Sequence, residues 1–83
     1  MKYTVTWTPS AEKYLANLWV YASDRQAVTD SADRIDRLLK YDADTKGEPL
    51  GPFLALYDDP LSVLYLVDAE DGMVRVIQVR RNL

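Results

Sequence analysis

Apolar and polar residues alternate at the start of the chain: Tyr3, Val5 and Trp7 interleave with Thr4, Thr6 and Thr8. That period of two predicts a half-buried strand. Thr8-Pro9 then has the form of a helix N-cap followed by proline at the first helical position. Ala11, Leu15, Leu18 and Ala22 recur at i, i+4, i+7 and i+11, which predicts a helix over 9–22 with one apolar stripe. Ser23 and Gln26 have capping-box spacing, and Val28, Ala32, Ile35 and Leu39 repeat the helical stripe. The two helices form a hairpin around a very short turn.

Gly47, Pro49, Gly51 and Pro52 punctuate residues 42–52, which therefore read as a loop. Three strands follow, 53–57, 61–68 and 73–79, separated by the turn Asp58-Asp59-Pro60 and by the acidic turn 68–72. Short connections make these an antiparallel meander. The expected fold is one α+β domain spanning residues 1–83, ordered β-α-α-β-β-β. Its helical hairpin packs on one face of a mostly antiparallel sheet. Ala11, Leu15, Leu18, Val28, Ala32, Ile35 and Leu39 are its expected helical core, and Trp7 and Trp19 belong in or beside it.

Both faces of the middle strands are apolar. Phe53, Ala55 and Tyr57 oppose Leu54 and Leu56, and Val63, Tyr65 and Val67 oppose Leu64 and Leu66. The helices can cover one side only. The other is either masked by long side chains and the loop or left as an exposed apolar patch that binds something.

Composition narrows the chemistry. The chain has no cysteine and no histidine, which removes thiolate chemistry, disulfides and the usual general base near neutral pH. Ten basic against thirteen acidic residues give a net charge of −3, which makes nucleic acid an unfavoured partner. The acidic turns lack the spacing of a calcium loop, so no metal and no cofactor are expected. The segment MKYTVTWTPS holds no long apolar run, so neither a secretion signal nor a membrane span is expected and the location is taken as cytoplasmic.

The string WTPSAEKYLANLW resembles the first strand-to-helix segment of RelE/ParE toxins, and GEPLGPFLALYDDPLSVLYLVDAEDGMVRVIQVRR resembles their terminal meander with its basic tail. The resemblance covers nearly the whole chain. It implies a toxin neutralised by an antitoxin. RelE-like members cleave mRNA on the ribosome with basic side chains on the open sheet face and a C-terminal tyrosine, whereas ParE-like members poison DNA gyrase.

The departures are specific. Leu54 and Leu56 stand where RelE-like enzymes place two lysines, Ser62 where they place an arginine, and no tyrosine follows Arg81. Phosphodiester cleavage builds negative charge that fixed cations stabilise. A face of Leu54, Leu56, Leu64 and Leu66 offers none, so no catalytic residue is assigned. Arg80 and Arg81 are left either as phosphate or target contacts or as a solvated tail. On the first helix Tyr14 replaces an acidic residue common in the family. Tyr14, Asn17 and Tyr21 share a stripe that is either a core rim or a contact surface, and Tyr41 lies off its own helix's buried stripe.

These departures favour a non-catalytic protein-binding module on the toxin scaffold, altered or engineered, that binds through Tyr14, Asn17, Tyr21 and Tyr41 or through the leucine face. The alternative is a natural type II toxin, ParE-like or RelE-like, held by an antitoxin. The partner is a protein in either case, and a homodimer stays open.

Overall fold

The computed structural model describes residues 2–82. The elements are β1 (Thr4–Trp7), α1 (Pro9–Tyr21), α2 (Arg25–Lys46), β2 (Glu48–Leu50), β3 (Phe53–Asp58), β4 (Leu61–Asp68) and β5 (Met73–Arg81). The sheet is five-stranded in the order β1-β5-β4-β3-β2. β1 runs parallel to β5, and all other neighbours are antiparallel. β1 and β2 are opposite edges, so the helical hairpin between them crosses the sheet and covers one face.

Helix α1 starts as its sequence dictates. The Thr8 hydroxyl accepts a hydrogen bond from the Ala11 N–H at 3.2 Å, with Pro9 next in line. The capping box at Ser23 does not form. The N-cap of α2 is Asp24, whose carboxylate accepts from the Arg81 guanidinium at 2.7 Å instead of capping the helix. Gln26 donates to Asp30.

The expected loop over 42–52 is mostly regular structure. Helix α2 kinks at Asp42 and continues to Lys46 because Ala43 is fully buried there, and its carbonyl accepts from the Tyr65 hydroxyl at 2.7 Å. β2 then pairs with β3 around a turn at Gly51, where φ is +60°. Pro49 is tolerated because β2 is an edge strand.

The core is a seam between α2 and the middle of the sheet. Val28, Ile35, Leu39 and Ala43 pack on Leu61, Val63, Tyr65, Val74, Val76 and Val79, all nearly inaccessible to solvent. Helix α1 contributes less than its stripe predicts. Only Ala11 is buried, while Leu15, Leu18 and Ala22 are half-buried against the seam, as is Ala32 of α2.

Pairing fixes which residues share a face. The β3–β4 hairpin turns over two residues, Asp59 and Pro60, because Asp58 still pairs with Leu61. Leu54 therefore pairs with Tyr65 and Leu56 with Val63, so both leucines point toward the helices. The anticipated four-leucine face does not exist. Leu64 and Leu66 lie on the open face, with Ala55 and Tyr57. A register shift opposite Leu64/Tyr65 places both Val76 and Val79 of β5 in the core and turns Gln78 and Arg80 outward.

Gly47 passes close to this seam. A Cβ there would lie 2.8 Å from Leu54 Cβ and closer still to the Tyr65 hydroxyl. Gly47→Ala is expected to lower stability by about 1–3 kcal/mol in urea denaturation, as overpacking does; an unchanged midpoint would remove the steric account. Burial, reinforced by the charge of Asp44, pushes the Tyr65 phenol from 10.0 up to about 12. The unfolded chain then loses this proton near pH 10 while the folded chain keeps it. The stabilisation is complete below pH 10 and is lost as pH rises toward about 12. Tyr65→Phe should flatten the decline of stability across that window, and should cost about 1–3 kcal/mol at neutral pH by leaving the Ala43 carbonyl short of a donor.

Candidate interaction surfaces

Two surfaces remain uncovered. One is the open face of the sheet, the other a cleft between the helices on the opposite side.

On the open face β1 presents Thr4 and Thr6, and β5 presents Met73, Arg75, Gln78 and Arg80. β4 adds Ser62, Leu64 and Leu66. Tyr57, 59% exposed, pairs across from Ser62, which pairs in turn with Arg80. Arg75 and Arg80 are the cations that β5 places on this face, and neither is within salt-bridge distance of a carboxylate among the described residues. Arg81, paired with Leu61, points to the helical side and is held by Asp24. That contact raises the Arg81 pKa and lowers that of Asp24. The two arginines of the tail therefore do not act together.

The cleft has a volume of about 530 Å³. The flank of α1 that carries Glu12, Leu15, Ala16, Trp19 and Val20 forms one wall. Val28, Thr29, Ala32, Asp33 and Asp36 of α2 form the other, and Trp7 reaches it from the end of β1. Trp19 is not a core residue. It is 43% exposed and Val20 is 49% exposed. The Trp19 indole donates to the Thr29 hydroxyl at 3.1 Å, and the Arg25 guanidinium lies 4.9 Å from its ring centre while donating to the Trp19 and Val20 carbonyls. These contacts fix a large aromatic side chain in place without covering it.

The surface residues expected from sequence are scattered. Tyr14, Asn17 and Tyr21 share the other flank of α1, exposed and away from the cleft. Tyr41 stands on α2 with Arg37 and Leu38. The apolar arc of α1, which includes Ala16, Trp19 and Val20 besides the core stripe, is wider than one buried face needs and was the sequence signal for the cleft. The Asp68–Asp71 segment is a turn in which the Asp68 carboxylate accepts from the Asp71 N–H. Among the described residues no group of histidine, cysteine or acidic side chains is placed to hold a metal ion, and no helix is long and apolar enough to cross a membrane.

Tyr21 is 86% exposed and Tyr14 51% exposed, so neither is needed by the core. Tyr21→Ala is expected to change stability by less than about 0.5 kcal/mol. A clear drop in melting temperature would return it to a structural role.

No protein-family model matches the sequence, and no curated protein matches it significantly. Solved structures do match. The toxin–antitoxin complex RelBE2 from Mycobacterium tuberculosis aligns with a TM-score of 0.83 at 20% identity, over 99% of this chain and 100% of that one. The chromosomal ParDE TA system from P. aeruginosa aligns with a TM-score of 0.74 at 13% identity, over 99% and 98%. A double arginine-to-alanine variant of the E. coli toxin RelE in the free state aligns with a TM-score of 0.67 at 19% identity, over 98% and 84%. The strand order, the helical hairpin and these whole-chain alignments agree that the chain has the RelE/ParE toxin fold.

Proposed function

We propose that the chain is the toxin of a toxin–antitoxin pair, held inactive by a protein antitoxin and acting on its target by protein contact. The observation that carries this reading is the end-to-end match to RelBE2, with a TM-score of 0.83 and no part of either chain left over beyond 1%. That match supports a natural toxin over an altered or engineered binding module. The uncovered apolar surfaces support an antitoxin partner, since patches such as Trp19 with Val20 on a small domain are surfaces that a second protein covers.

Contact is favoured over RNA cleavage by the chemistry of the open face. Cleavage needs a proton acceptor and a group of fixed cations around the scissile phosphate. The chain has no histidine, Arg81 is committed to Asp24, and Arg75 and Arg80 share the face with Leu64, Leu66 and Tyr57.

Induced alone in a bacterial host, the chain should arrest growth. Folded protein accumulating without any effect on growth would sink the toxin reading. Purified and added to translating ribosomes, it should leave mRNA intact. Ribosome-dependent cleavage that disappears in Arg80→Ala would assign it a nuclease mechanism instead.

A further inference from the structure

We infer that the open face of the sheet is a self-association surface. Two copies of this chain pack open face to open face as a β-sandwich, about a two-fold axis that runs along the strands between β3 and β4. The inference does not rest on the toxin reading. Three observations lead to it.

The first is an apolar stripe. An antiparallel sheet with one solvated face carries polar residues on that face. Here its middle is made of Leu64 and Leu66 of β4, Phe53, Ala55 and Tyr57 of β3, and Leu50 of β2. Leu50, Tyr57 and Leu66 are exposed. A second layer about 10 Å away removes such a stripe from water. Another sheet is the shape that fits, because two aligned sheets of the same twist interdigitate across their faces.

The second is charge. Within the strands the open face holds Arg75 and Arg80 of β5 against Glu48 of β2 and Asp68 of β4. The two signs balance, so a second copy meets no net repulsion on this face although each chain is −3 overall. They are also separated across the stripe. The arginines flank it on the β5 side, and Glu48 flanks it on the β2 side.

The third is register. Glu48 pairs with Ala55, Ala55 with Leu64, and Leu64 with Gln78. Glu48 is therefore level with Gln78, between Arg75 and Arg80. A two-fold axis along the strands keeps that level and exchanges the sides: β3 lies over β4 of the other copy, and β2 over its β5. Each Glu48 then meets the two arginines of the other copy, and symmetry makes the contact twice. An axis across the strands would set β5 on β5 and bring arginines together, which like-charge repulsion opposes.

The test is sedimentation equilibrium of the intact chain. A reversible monomer–dimer equilibrium is expected, with a midpoint of roughly 1–100 µM. Leu66→Lys, at an exposed position in the stripe, should abolish the dimer while circular dichroism shows the fold intact. Glu48→Arg alone, and Arg75→Glu combined with Arg80→Glu, should each weaken self-association at least roughly tenfold. Mixed in equal amounts, those two variants should associate with each other, since each then meets the opposite sign on both flanks. Ala16→Arg, in the cleft on the other side, should leave the dimer unchanged. A chain that stays monomeric up to roughly 1 mM, a dimer that survives Leu66→Lys or Glu48→Arg, or a mixture that fails to associate would each overturn the proposal. So would dissociation by Ala16→Arg, which would give the dimer to the cleft. None of these measurements reads growth arrest, so the toxin reading stands or falls apart from them.

Discussion

The molecule depends on one apolar seam, the row Val28, Ile35, Leu39 and Ala43 of α2 laid against the inward side chains of β4 and β5. A domain of 83 residues buries a smaller share of its surface than a large one, so its core must be concentrated. Here it is concentrated under a single helix. The ends of the seam are tied by polar contacts. The buried Ser31 hydroxyl donates to the Asp58 carbonyl, the Arg34 guanidinium grips the Asp58 carboxylate in bidentate fashion, and Arg81 joins the end of β5 to Asp24 at the start of α2. Because α2 carries the core, α1 is free to keep an apolar flank uncovered, and the cleft follows from that division of labour.

The order of elements was legible because each segment announced its period. Thr8-Pro9 marked a real cap, and the stripe of α2 marked a real core. The faces of the sheet were not legible, for a geometric reason. A three-residue turn at Asp58-Asp59-Pro60 would have put Leu54, Leu56, Leu64 and Leu66 on one side; the actual two-residue turn pairs even positions of β3 with odd positions of β4. One residue of turn length therefore sent two leucines to the opposite side. Residues 42–52 failed for a different reason. Their glycine and proline content masked a helix end held by Tyr65 and an edge strand that tolerates proline. The cleft was hidden because two tryptophans among apolar neighbours fit a core as well as a groove; only the separation of the helices tells them apart.

The two uncovered surfaces differ in composition as well as in place. The open sheet face mixes Arg75 and Arg80 with Glu48 and Asp68 around Leu64, Leu66 and Tyr57. The cleft on the other side is lined mainly by apolar side chains, with Glu12, Asp33 and Asp36 at its edges and Asp36 paired with Lys40.

The register shift at Ile77 has a consequence for how this sequence can vary. It acts as a phase reset in β5: without it, strict alternation after Val74 and Val76 would carry Gln78 and Arg80 into the apolar layer and expel Val79. Ile77 is the one extra residue: a strand without it would alternate plainly and keep Gln78 outward and Val79 inward. A strand that kept Ile77 but lost the bulge would instead invert every side chain from Gln78 onward, bury Arg80 without a counter-charge and break the Arg81–Asp24 tie in the same stroke. The middle of β5 is therefore the place in this fold where a local distortion of the backbone, rather than residue type, decides which side chains face the core.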